Sequence, residues 1–93
     1  MGLDINFYKK DIVEVDEYFG TRDRELFDYI TGKCGVVYGD AQYGKYVKLT
    51  KGQVTKIINY MGKHNQHGRY NKLIAELTTL KEEHKEIYMS ADW

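Results

Sequence analysis

Cys34 is the single thiol of this chain, and His64, His67 and His84 are its three imidazoles. A thiol and a histidine can form a nucleophile pair, but the pair needs a third group to orient the imidazole and an oxyanion hole to hold developing charge. No local motif supplies either, so Cys34 reads as a bland buried thiol. One cysteine makes no internal disulfide and founds no cysteine-rich metal site. Zinc asks for about four N, S or O ligands in tetrahedral reach. His64 and His67, three apart in a polar stretch, read instead as solvated turn residues. The carboxylates Asp11, Glu14, Asp16 and Glu17 lie close in sequence, and such a run reads as a solvated face. Gly32, Gly35, Gly39 and Gly44 lack both the Gly-Lys-Ser/Thr ending of a phosphate loop and the spacing of a dinucleotide fingerprint. No catalytic residue, cofactor or metal is expected, and a small enzyme is the third reading of function.

The residues with the most recognition chemistry lie between Lys33 and Lys48. Tyr38, Tyr43 and Tyr46 interleave there with Lys33, Lys45 and Lys48 on a glycine-rich frame. Tyrosine offers large amphipathic contact area at low entropic cost, and glycine lets a loop adapt. The same pairing serves single-stranded nucleic acid, through phosphate contact and base stacking. Against both stands the simpler reading that these tyrosines cover a thin core. Charge adds to the case. Net charge is zero, yet residues 31–72 carry eight bases and one acid. Residues 1–30 carry eight acids and four bases, and residues 73–93 five acids and two bases. The centre is the part suited to meet an anion, unless the segments fold together and their fields cancel.

Positioning these residues falls to one small domain, residues 1–93. A chain of this length buries only about 60–65% of its unfolded surface. At 42% hydrophobic and 14% aromatic it nonetheless has the means to fold. Leu3, Ile5 and Phe7 alternate with polar residues and predict a strand. Asp11–Gly20 is a second short strand or an ordered loop. A helix over about Thr21–Thr31 has Thr21 as cap, Leu26, Phe27 and Ile30 as its apolar face, and Gly32 as its stop. A strand is expected near Lys45–Leu49. Thr50-Lys51-Gly52-Gln53 fits a capping box, followed by a stripe of Val54, Ile57, Ile58 and Met61 with Gly62 as the C-terminal turn. Tyr70, Leu73, Ile74, Leu77 and Leu80 predict a third helix, and Ile87–Trp93 a closing strand. The fold class is α+β: a small, mainly antiparallel sheet of three or four strands with about three helices packed on it. No apolar run reaches the roughly 18 residues of a membrane span, and no signal-peptide pattern opens the chain. Met1-Gly2 fails as a myristoylation start because Asn6 stands where Ser or Thr is required. A cytoplasmic setting is expected.

The opening Met1-Gly2-Leu3-Asp4-Ile5-Asn6-Phe7-Tyr8 resembles a group of small bacterial and bacteriophage proteins that begin Met-Gly-Leu-Asp-Met-Tyr-Leu. Phe19-Gly20-Thr21-Arg22 and Tyr43-Gly44-Lys45-Tyr46-Val47-Lys48-Leu49-Thr50 are similar to that group's helix entry and its strand and cap, so the resemblance covers residues 1–60. Phe27 stands near the group's usual histidine, and Tyr43 where it tends to have cysteine. The resemblance implies a phage or mobile-element origin in a bacterial host cell, and no particular chemistry. With the small size and the lack of a catalytic constellation, it gives a first expectation of a protein-binding module. Such a module would occlude a host defence protein such as a CRISPR nuclease, as anti-CRISPR proteins do. The alternative is a nucleic-acid or nucleotide-binding accessory protein that uses Lys33–Lys72. Self-association stays open.

Overall fold

A computed structural model describes residues 4–15, 24–36 and 45–92. In Asp4–Lys9 (β1), Ile5 and Phe7 are buried and Asn6 and Tyr8 point to the opposite face, as the period of two demands. Lys10–Ile12 turns the chain, with Asp11 at φ 66, a left-handed conformation that aspartate tolerates. Val13–Glu14 (β2) then pairs back with Tyr8 opposite Glu14 and Lys9 opposite Val13. Part of the acidic segment is therefore a strand. Val15 locks the hairpin by donating its amide to the Phe7 carbonyl at 2.9 Å.

Arg24–Lys33 (α1) buries Leu26, Phe27 and Ile30, the face expected of it. It ends later than Thr31, because Gly32 lies inside the helix and Gly35 is the stop. Gly35 takes φ 76, which lets the Val36 amide fold back to the Ile30 carbonyl at 3.5 Å. Val47–Lys48 (β3) is shorter than the strand expected over Lys45–Leu49, although the Leu49 amide still reaches the Ile87 carbonyl at 2.8 Å.

Lys51–Lys63 (α2) opens on the anticipated capping box. The Gln53 amide donates to Thr50 Oγ1 at 3.1 Å, and the Thr50 amide donates to Gln53 Oε1 at 2.8 Å. Gln53 Nε2 also donates to the Cys34 carbonyl at 2.8 Å, so one side chain both caps α2 and ties it to the end of α1. Val54, Ile57 and Met61 are buried and Ile58 is half-buried against the core. The helix passes Gly62 and closes at His64, whose amide bonds to the Tyr60 carbonyl. Asn71–Glu82 (α3) buries Leu73 and Leu77, with Tyr70 buried just before it and Ile74 and Leu80 packed at the core's edge.

Ile87–Asp92 (β4) alternates again: Ile87, Met89 and Ala91 are buried. The sheet has four strands in the order β2-β1-β4-β3, antiparallel throughout, with β1 and β4 at its centre paired over six positions. One face of the sheet joins the helices in a single core running from Ile5 and Phe7 to Met61, Leu77 and Met89. The fold is α+β, as the alternation of periods two and 3.6 in the sequence requires. The expected roles of Leu3, Thr21 and Trp93 fall outside the described residues.

Candidate recognition surface

Strand parity sorts the side chains of the sheet into two sets. Tyr8 pairs with Tyr88, Asn6 with Ser90, and Lys48 with Tyr88, so these five share the face turned away from the buried residues. Tyr46, two residues before Lys48, joins the same face. Its ring meets that of Tyr8 edge to face, with centroids 5.1 Å apart and planes at 89°. In register Tyr46 lies opposite Ser90, since Val47 is opposite Met89. Ser90 is small and only 5% exposed, which leaves room for the two larger rings to meet over β4.

The polar groups here are arranged as closely as the rings. The Tyr88 hydroxyl donates to Glu86 Oε1, and Lys48 Nζ stands 4.0 Å from Glu86 Oε2. The hydrogen bond from Tyr88, followed by the charges of Lys48 and Lys10, holds the Glu86 carboxyl below its ordinary value. The same bond pushes the Tyr88 phenol up. Tyr46 is 43% exposed and is the large apolar side chain most open to solvent among the described residues.

Of the residues singled out from sequence, Tyr46 and Lys48 stand on this face, and Lys45 is exposed just before them. Lys33 does not join them. It ends α1 where that helix abuts α2, and its carbonyl accepts from Lys56 Nζ at 3.5 Å. Tyr38 and Tyr43 lie outside the described residues. Sequence reading missed Tyr8, Tyr88 and Glu86, which belong to opposite ends of the chain and meet only through strand pairing. The signal available was the polar half of each alternating strand, where tyrosine occupies the outward phase.

The other reactive side chains occupy different places. Cys34 is buried, and burial pushes its thiol up despite the opposing charge of Lys56, whereas a nucleophile needs its thiolate favoured. His64 lies against the Tyr60 ring at 4.3 Å, and Tyr60 stacks in turn on Tyr29 at 4.4 Å. Among the described residues no three or more of His, Cys, Asp and Glu come together in a way that could hold a metal. No described helix is long and apolar enough to cross a membrane. No family model, curated protein or solved structure matches the chain.

Proposed function

We propose that this protein is a binding module that recognises a protein partner through the outer face of its sheet, with Tyr46, Tyr8 and Tyr88 as the contact area and Lys48 and Glu86 as its polar complement. The observation that carries this reading is the Tyr46–Tyr8 ring pair on a face not committed to the core. Aromatic side chains held by their neighbours present contact area without a large ordering cost, which suits them to anchor an interface. Glu86 favours protein over nucleic acid as the partner. A carboxylate fixed among the tyrosines repels a phosphate backbone but complements a mixed-charge protein surface. The resemblance of the opening residues to phage proteins extends the reading to a mobile-element product that occludes a host defence protein.

A second reading has its own observation. Tyrosines on an antiparallel four-stranded sheet beside Lys45 and Lys48 also form a platform on which bases of a single strand can stack. The two separate cleanly. Under the first reading, Tyr46→Ser abolishes partner binding while Lys45→Ala with Lys48→Ala mainly slows association. Under the second, the paired lysine variant weakens binding to DNA or RNA. It also flattens the salt dependence by about one unit of slope for each phosphate no longer neutralised. A folded circular-dichroism spectrum accompanies each variant. Tight binding of the wild type to single-stranded nucleic acid at physiological salt, absent in the lysine variant, overturns the protein reading.

A further inference from the structure

Behind the Lys48–Glu86 pair, where Leu49 meets Ile87, the fold leaves a hollow of about 190 Å³ lined by Leu49, Lys51, Val54, Lys81, His84, Lys85 and Ile87. Its floor is apolar, and among the described residues its rim is three lysines and a histidine with no carboxylate. Of the acids nearest in sequence, Glu82 is exposed and does not line the hollow, Glu83 lines a separate hollow with Lys9 and Glu76, and Glu86 is held by Tyr88 and Lys48. Lys51, Lys81 and Lys85 form no ion pair among the described residues.

Ordinary helix electrostatics accounts for only part of this rim. Lys81 and Lys85 sit at the end of α3, where cations complement the dipole. Lys51 does the opposite: it opens α2, at the positive end of a helix whose first turn holds no acid. The two helices are also held in place around the hollow. Lys81 Nζ donates to Thr55 Oγ1 at 3.4 Å, and Thr55 Oγ1 donates to the Lys51 carbonyl at 2.9 Å. His84 and Lys85 arrive through a Schellman turn: the His84 amide bonds to the Lys81 carbonyl at 3.1 Å and the Lys85 amide to the Leu80 carbonyl at 2.9 Å. His84 takes φ 58 there, at the position where glycine is usual.

We infer that this hollow is a binding site for a phosphate monoester, with Lys51, Lys81, His84 and Lys85 around the phosphoryl group. Its volume falls below the roughly 300 Å³ at which pockets enclose a whole small molecule, so it takes the anionic group while the rest of the ligand lies outside. A monoester carries about −1.5 to −2 charge at neutral pH, against one for a diester, and so offsets more of the positive charge that lines the hollow. The inference is independent of the tyrosine face and stands or falls separately from it.

The test is a titration followed by amide NMR at constant ionic strength, using inorganic phosphate, phenyl phosphate and dimethyl phosphate as probes. Saturable shifts confined to Lys51, Gly52, His84 and Lys85 are expected with the first two, and binding about tenfold weaker with dimethyl phosphate. Lys51→Ala and Lys85→Ala should each weaken phosphate binding several-fold. Lys63→Ala, an equal charge change on an exposed position of α2, should leave it unchanged. All three positions are exposed, so the fold survives each change. Shifts that do not saturate, that spread over the lysines generally, that are as large with dimethyl phosphate, or that saturate with unchanged affinity in Lys51→Ala would overturn the site.

Discussion

Tyr46, at the entry to β3, and Tyr8 of β1 meet edge to face at 5.1 Å although β4 runs between those strands, with its Ser90 in register opposite Tyr46. An aromatic pair of this geometry contributes about 0.5–1.5 kcal/mol beyond the area it buries. A double-mutant cycle with Tyr8→Ala and Tyr46→Ala, measured by urea unfolding, is expected to return a coupling energy in that range. A coupling near zero would mean that the rings touch without supporting each other.

Glu86 and Tyr88 give a pH dependence whose sign is set by the direction of each shift. The Glu86 carboxyl lies below its ordinary 4.5 in the folded protein, chiefly through the Tyr88 hydroxyl. Its contribution to stability is complete above 4.5 and fades as pH falls through the lowered value. Tyr88 lies above its ordinary 10.0, so its contribution is complete below 10.0 and fades as pH rises through the raised value. Carboxyl NMR of Tyr88→Phe should show Glu86 titrating closer to 4.5, with Lys48→Ala producing a smaller move in the same direction. An unchanged Glu86 titration in Tyr88→Phe would remove that hydrogen bond as the cause.

Gln53 supports a sharper test than its place in a capping box suggests. Glutamate at this position would keep the acceptor for the Thr50 amide and gain from the helix dipole, by about 0.3–1 kcal/mol. It would also lose the donor to the Cys34 carbonyl and set a charge against that oxygen. The second effect is the larger, because a part-buried acceptor is left without its partner, at about 1–3 kcal/mol. Gln53→Glu should therefore lower stability by about 1 kcal/mol in urea unfolding. A gain would show that α1 is not fastened to α2 through this side chain.

What the sequence makes legible is whatever is decided locally. Thr50 and Gln53 cap each other across three residues, and the stripe from Val54 to Met61 follows from helical spacing alone. Ile5, Phe7, Ile87, Met89 and Ala91 announce their strands by alternation. Helix ends are less legible, because a stop depends on which glycine is driven to positive φ: Gly35 is, whereas Gly32 stays inside the helix. The recognition surface is half legible. Tyr46 and Lys48 stand out in a lysine- and tyrosine-rich segment, but Tyr8 and Tyr88 acquire meaning only through the pairing of β1 with β4. The second link from Gln53, to Cys34, is hidden for the same reason.

Lys51 separates stability from binding. Lys51→Glu places an acid at the positive end of α2 and removes one of the cations around the hollow beside Leu49. Urea unfolding should show the variant more stable by about 0.3–1 kcal/mol, and it should no longer respond to inorganic phosphate. Loss of stability instead would mean that Lys51 already has a favourable partner in the free protein.

The most direct measurement of the central claim is capture from a bacterial lysate, with and without nuclease treatment, on immobilised wild type, Tyr46→Ser and Lys33→Ala, each first shown folded by circular dichroism. Tyr46 stands on the outer face of the sheet, and Lys33 lies at the junction of α1 with α2. A protein partner should be retained by the wild type and by Lys33→Ala and lost by Tyr46→Ser, since truncating an aromatic anchor costs about 2 kcal/mol or more at an interface. Retention of that partner by folded Tyr46→Ser, or capture that disappears from the wild type once nucleic acid is digested, would contradict it.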